Sequence, residues 1–475
     1  MDADAAHRRD PPPHPSSAVG RPGTSRYQPA AYRAAKRQAH HADAHAGDAQ
    51  GGSEPAHAPG PLSDRHAPLV CRGPGRLLTR TGEVRELVHR LHAAGSFAYD
   101  SEFIGELSYA PKLCLIQVAT PTEIALIDPL AGPDLTDFWR LLADPSVEKI
   151  VHAGQQDIEP VVRFIGAAAA NLFDTQIAAG FAALPYPVGL SKLLLELLGA
   201  RIGKSMTFTQ WDARPLSATQ LRYAADDVRF LPALREELAQ RVAARGHADK
   251  AAAEFAALCE PSQYRFDPDR VMLRVKGSGS LTPNQLRVLR ELVIWRDDAA
   301  RQADVPARTY LKDEVLVDLA RSPVRTKDKL AKVKNLPRPV IAEEGDAILA
   351  ATARGLSAPP LTCLPDDRDI EPTPSQKFQA DALWAACQSL CHAEGIDPQL
   401  VSSRQEIGRL VAAVAEGRPA PDLGLLRGWR KAFLGERAME LLARGGELRV
   451  LWEGGLPRTA PGPTAPPSHG SATRA

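Results

Sequence analysis

Residues 97–102 read Phe97-Ala98-Tyr99-Asp100-Ser101-Glu102, a short apolar run ending on two carboxylates two positions apart. Extended backbone sends successive side chains to opposite faces. A strand here would therefore aim Asp100 and Glu102 the same way, with α-carbons about 6.6 Å apart. Two acids on one face repel each other and resist leaving water. Such a pair needs a cation between its carboxylates, and a hard divalent ion with oxygen ligands is the natural candidate. Taken alone, the stretch reads more simply as a strand ending in solvated turn residues. The rest of the chain changes that balance.

The chain has 475 residues, too many for one ordinary core, so about two to four domains are expected. Its hydrophobic content of 44% and charged content of 24% fit a globular protein. A net charge of +1 excludes a molecule that is basic overall, so any nucleic-acid surface must be a local patch. The cysteines (Cys71, Cys114, Cys259, Cys363, Cys387, Cys391) show neither zinc-site nor disulfide-framework spacing, which fits a reducing, cytoplasmic setting. No apolar run reaches membrane-spanning length, and the N-terminus lacks the order of a signal peptide.

Residues 1–70 hold almost no large aliphatics and 7 of the 13 histidines, including His40, His41 and His45, and are expected to be a disordered tail. Helical periodicity then runs over 83–94, with Val84, Leu87, Val88 and Leu91 on one face and Gly95 as the stop. Strand-like runs follow at 97–103, 113–119 and 124–127, separated by Gly105, Pro111 and Pro121, and suggest an antiparallel meander. Next come a helix at 138–142, a strand at 149–152, and helices at 155–165, 175–183, 190–198 and 219–241. Hairpins followed by alternating strand and helix imply an α/β domain, a mixed sheet flanked by helices, over 71–245. Lys276-Gly-Ser-Gly-Ser280 marks a linker over 246–280, and residues 281–356 read as all helix. A Pro/Asp-rich linker at 357–374 precedes a second helical unit at 375–450, and 451–475 is expected to be a second disordered tail. Each helical unit carries a Trp-Arg pair, Trp295-Arg296 and Trp429-Arg430, which hints at an internal repeat.

More acids join the first pair. Asp157, in Lys149-Ile-Val-His-Ala-Gly-Gln-Gln-Asp157, falls in the first turn of a helix, where the dipole favours an anion. A stabilising N-terminal acid would explain it equally. Tyr223 and Asp227 lie four apart and share a helix face, while Asp226 points elsewhere. Asp100, Glu102, Asp157 and Asp227 thus come from three separate elements.

The order and wording of these pieces carry a resemblance. Asp-x-Glu-Phe at 100–103, His-Ala-Gly-x-x-Asp at 152–157 and Tyr-x-x-x-Asp at 223–227 resemble the three motifs of DEDD exonucleases in their tyrosine-containing branch. Between them, Leu113-Cys-Leu-Ile-Gln117, Ile127-Asp-Pro-Leu130, Asp174-Thr-Gln176 and Trp211-Asp-Ala-Arg-Pro-Leu216 are similar to ribonuclease D. Position 101 is Ser where that family commonly has Thr. Residues 286–301, with Asp304-Val-Pro306, resemble the HRDC domain of ribonuclease D proteins and RecQ-type helicases, and 375–445 look like a second, divergent copy resting mostly on 425–433.

The resemblance implies a ribonuclease H-like 3′-5′ exonuclease domain followed by two all-α HRDC-type domains. It implies hydrolysis assisted by two Mg²⁺ or Mn²⁺ ions held by Asp100, Glu102, Asp157 and Asp227, with Tyr223 orienting the attacking water. Gln117, His152, Lys204, Arg325 and Lys327 are candidate substrate contacts. Gln117 also reads as a strand residue paired within the sheet, and Lys204 as a solvated loop lysine. Gly199-Ala-Arg-Ile-Gly-Lys-Ser205 is one residue short of a P-loop and follows a helix, so triphosphate binding and a helicase activity are rejected. Arg321, Arg325, Lys327, Lys329, Lys332, Lys334 and Arg338 form a basic run that serves either as a solvated face or as a phosphate contact. The expected function is a 3′-5′ exoribonuclease acting on RNA with a single-stranded 3′ end, transfer-RNA precursors by resemblance. No obligate protein partner is implied. A DNA exonuclease and a catalytically dead RNA-binding adaptor are the alternatives.

Overall fold

The computed structural model describes residues 62–105, 107–203, 209–361, 372–445, 449–453 and 456–460. Most of both expected tails, most of the second linker, and Lys204 lie outside the described residues. A six-stranded mixed sheet organises the first domain. Its strands are β1 (Arg76–Leu78), β2 (Ser96–Ile104), β3 (Lys112–Ala119), β4 (Ile124–Ile127), β5 (Glu148–Val151) and β6 (Leu172–Asp174), in the order β1-β4-β3-β2-β5-β6. The pairs β2–β3 and β3–β4 are antiparallel, as the meander reading expected, whereas β2–β5, β5–β6 and β1–β4 are parallel. The three-residue strands β1 and β6 were not legible in the sequence, being too short to show a period of two.

Alternation along β2 explains the layering. Phe97 and Tyr99 face a core with Leu87, Leu91 and Phe138, from α1 (Thr81–Ala94) and α2 (Thr136–Ala143). Ala98, and with it Asp100 and Glu102 by alternation, faces the opposite side. There α6 (Ala218–Arg229) crosses β2, β3 and β4. It follows α3 (Gln155–Ile165), α4 (Thr175–Gly180) and α5 (Leu190–Leu198). The single helix expected over 219–241 is interrupted at Phe230, and α7 (Leu231–Ala244) begins anew with Pro232 in its first turn. Proline has no N–H and is tolerated there, where no intrahelical donor is needed.

The span 246–280, read from sequence as a linker, carries two helices. These are α8 (Ala248–Leu258) and α9 (Pro268–Leu273). Ala251 and Phe255 of α8 enter the core of the first domain, and Met272 of α9 enters the core of the next. The glycine-serine stretch is therefore a short turn between packed elements, and its composition alone misrepresented the flanks.

The first helical unit comprises α10 (Pro283–Ala303), α11 (Ala307–Tyr310), α12 (Asp313–Arg321), α13 (Lys327–Leu330) and α14 (Arg338–Ser357), around its own apolar core. The second comprises α15 (Pro374–Glu394), α16 (Pro398–Val401), α17 (Arg404–Ala415), α18 (Gly428–Arg430) and α19 (Glu436–Arg444). Strands β7 (Arg449–Glu453) and β8 (Leu456–Ala460) then pair in antiparallel fashion, within the span expected to be the end of the second unit and the start of a tail. Both units open alike. Thr282-Pro-Asn-Gln285 and Thr373-Pro-Ser-Gln376 each form a capping box on a helix of 21 residues, followed by a helix of 4 residues. The Trp-Arg pairs are not equivalent, however. Trp295-Arg296 sits inside α10, where Arg296 forms a buried ion pair with Asp313 at 2.7 Å, whereas Trp429-Arg430 forms α18 near the end of its unit.

The two units attach differently. Cys387, Leu400, Leu410 and Leu425 of the second unit belong to the same core as Phe181, Leu234 and Phe255. A Cβ on Gly180 would lie 2.5 Å from Leu400 Cδ1, so a larger residue there would push the Leu400 side chain aside. Glu254 of α8 accepts from Trp429 Nε1 at 2.7 Å and from both terminal nitrogens of Arg430 at 2.7 and 2.6 Å. The first unit instead grips the β2–β3 loop. Tyr109 Oη donates to Asp297 at 2.8 Å, and the Arg301 guanidinium, bonded to Asp297 at 2.6 Å, lies 5.3 Å from the centre of the Tyr109 ring.

Candidate active site

The alternation of β2 delivers Asp100 and Glu102 to the face crossed by α6, and a register shift between Glu102 and Phe103 bends the strand directly after the pair. One helical turn brings Tyr223 and Asp227 together on α6, where the Tyr223 side chain hydrogen-bonds the Asp227 carboxyl. The Trp211 ring leans on Tyr223 with centroids 6.1 Å apart. Asp100, Glu102 and Asp227 each offer a carboxylate oxygen, and these atoms lie within 4.8 Å of one another. Asp226 turns away to pair with Arg229 at 2.8 Å.

Asp157 is delivered by a separate device. Its helix α3 begins immediately after β5, and a Cβ on Gly154 would stand 2.5 Å from Val151 Cγ2, so glycine is required at that turn. Asp174 fixes the turn from β6 by accepting from Gly154 N at 2.9 Å and Gln176 N at 2.8 Å. Tyr99 Oη donates to the Asp157 carbonyl at 2.7 Å, and Ser101 Oγ donates to its carboxylate at 2.5 Å. Asp157 lies outside the group of three and is held beside it by Ser101, where it is the strongest charge acting on Asp100.

Burial and mutual repulsion make these carboxyls unusually hard to ionise. Burial, then Asp157, Asp227 and Glu102, pushes Asp100 well above the usual carboxylate range. Burial, then Asp227 and Asp157, raises Glu102 to about 8. Burial raises Asp227 to about 7 against the opposing Tyr223 hydrogen bond, and raises Asp157 to about 6 against that of Ser101. Acids in this state favour bound protons or bound cations. The closely spaced carboxylate oxygens fit a divalent ion.

The remaining candidates are dispersed. His152 Nδ1 is engaged with Thr175 Oγ1 at 2.9 Å, which ties it to the turn that carries Asp157. Gln117 lies directly across from Asp100 on β3 but is completely buried. Arg325 and Lys327 are exposed on the first helical unit, and Lys327 pairs with Asp346 at 2.7 Å. Sequence reasoning undervalued Ser101, whose position between two acids was the available signal. It also gave no role to Asp128 and Arg214, which form a two-pronged ion pair at 2.6 Å that ties the Trp211 loop to the end of β4.

Comparison with known proteins agrees with this construction. A family described as 3′-5′ exonuclease matches residues 76–243, and the HRDC domain family matches residues 285–352. Ribonuclease D of Gluconacetobacter diazotrophicus is 35% identical over 370 residues, covering 77% of this chain and 92% of that protein. Ribonuclease D of Acidiphilium cryptum is 32% identical, covering 80% and 95%. The crystal structure of Escherichia coli RNase D, described as an exoribonuclease involved in structured RNA processing, superposes with a TM-score of 0.67 at 28% identity, covering 78% of this chain and 99% of that one. With its mixed sheet, its acid-bearing β2 and its helical C-terminal half, the chain belongs to the ribonuclease D family of 3′-5′ exoribonucleases.

Proposed function

We propose that the chain trims RNA from a single-stranded 3′ end, with transfer-RNA precursors as the substrate class, in a cytoplasmic setting. The observation that carries the reading is the convergence of Asp100, Glu102 and Asp227 within 4.8 Å. These three would hold two divalent ions, Mg²⁺ or Mn²⁺, with Asp157 completing the set. When bound, such ions supply Lewis-acid activation of water and charge stabilisation at the departing oxygen.

The chain's own residues account for geometry and polarity. Tyr223, anchored on Asp227, orients the attacking water, its hydroxyl serving as donor and acceptor. Glu102 accepts the terminal 3′-hydroxyl, which restricts attack to the last phosphodiester. Water adds to that phosphorus, the bond to the 3′ oxygen of the preceding nucleotide breaks, and that oxygen takes up a proton. The products are a nucleoside 5′-monophosphate and an RNA shortened by one residue. The exposed run from Arg321 to Arg338 offers phosphate contacts on the first helical unit. Similarity to RNase D proteins supports RNA as the polymer, and a competition between matched RNA and DNA strands tests it. Preferential degradation of DNA would overturn this choice.

A further inference from the structure

Gln117 is completely buried, and neither its amide oxygen nor its amide nitrogen has a hydrogen-bond partner among the described residues. Each unmade bond of this kind costs about 1–3 kcal/mol, so a buried glutamine left in this state requires a reason. Strand register supplies one. Gln117 stands directly opposite Asp100 on one side and Leu126 on the other. Directly opposed side chains leave the sheet on the same face, with Cβ atoms about 4.5–5.5 Å apart. The polar side chain directly opposite Gln117 is therefore Asp100, the first acid of the site, with Glu102 diagonal to it on the same face. A side chain with no exposed surface also makes no contact with RNA, which removes the substrate role expected from sequence.

We propose that Gln117 is a positioning residue for Asp100. In the metal-loaded site its amide nitrogen donates to the Asp100 carboxylate and fixes the direction in which that carboxylate presents its oxygens. The inference rests on the divalent-ion reading above. Outer partners of metal ligands act in this way, and their loss typically weakens metal binding by about 10–100-fold. A buried amide kept for ligand orientation costs some stability in exchange.

The test uses the full chain and Gln117→Met, which has similar length and no amide. Mn²⁺ affinity is measured by calorimetry, stability by thermal unfolding in chelator, and kcat and KM on a 3′-extended RNA at fixed metal. The variant is expected to bind Mn²⁺ about 10–100-fold more weakly, to lose kcat with an unchanged KM for RNA, and to unfold in chelator at the wild-type temperature or above. Unchanged Mn²⁺ affinity, or a raised KM with metal binding intact, would overturn the inference. If Gln117→Met folds poorly, Gln117→Leu carries the same measurements. A wild-type chain that binds no Mn²⁺ overturns the ion reading and this inference together, whereas equal binding by wild type and variant overturns this inference alone.

Discussion

Replacing Asp227 with asparagine should stabilise the metal-free protein while abolishing its activity. Asp227 is raised from 3.8 to about 7, first by burial. The native state therefore keeps a proton that the unfolded chain releases between about pH 4 and 7. Stability from this group is fully present below its unfolded value and is lost as pH rises through about 7. At pH 8 the ionised native carboxylate costs at most about 4 kcal/mol, at 1.36 kcal/mol per pKa unit. Water penetration and relaxation reduce this to about 2 kcal/mol. Asparagine keeps the shape and can still accept from Tyr223, so the gain is about 4–8 °C in the unfolding of the nuclease domain. At pH 5 only about a third of the gain remains, because the unfolded carboxyl is then ionised by only about one unit. The assay is thermal unfolding of both proteins in chelator at pH 5 and pH 8, then with added Mn²⁺. Wild type should gain stability on adding the ion and Asp227→Asn should not. A variant that melts below wild type in chelator at pH 8, or gains equally at both pH values, would refute the electrostatic reasoning.

Ser101→Ala removes the donor to Asp157 and should raise that carboxyl above about 6, lowering kcat about tenfold or more, with Ser101→Thr retaining activity; a pH–rate profile checks it. Neutralising Arg325, Lys329 and Lys332 together should flatten the plot of log RNA affinity against log salt by about two to three units, and an unchanged slope would locate the phosphate contacts elsewhere. Tyr109→Phe deletes the bond to Asp297 and should weaken the first helical unit's hold on the β2–β3 loop by about 1–2 kcal/mol, read as faster hydrogen exchange at 107–111. Glu254→Gln leaves Arg430 half-satisfied and should loosen the second unit, seen as faster proteolysis of the chain beyond α15.

Much of this architecture was legible because it depends on short-range rules. The period of two along 97–103 fixed which residues share a face with Asp100, and the spacing of four fixed the Tyr223–Asp227 pair. The strands of the meander were found within one residue of their ends because Gly and Pro bound them. What escaped was set by tertiary packing. Helix α8 carries few large apolar residues and α9 is short, so neither shows a clear helical period, and their anchors Phe255 and Met272 pack into two neighbouring cores. The three-residue strands owe their existence to parallel partners distant in sequence. At the site, sequence placed the acids together but not the angle of each. The bond from Ser101 to Asp157 depends on how α3 packs against the other face of β2, which the position of Ser101 between the two acids hints at but does not fix. The Asp128–Arg214 bracket spans 86 positions and becomes visible only in three dimensions.

Metal-dependent 3′-5′ trimming by the acids assembled on β2 and α6 is the activity proposed for the chain. Its most direct test is cleavage of a 5′-labelled RNA with a structured body and a short 3′ extension, run with Mg²⁺, Mn²⁺ or chelator and with Asp100→Ala as control. Stepwise shortening from the 3′ end, abolished by chelator and by Asp100→Ala, is the expected result. RNA that is bound yet stays intact in the presence of either ion, or shortening that persists in Asp100→Ala, would contradict the account.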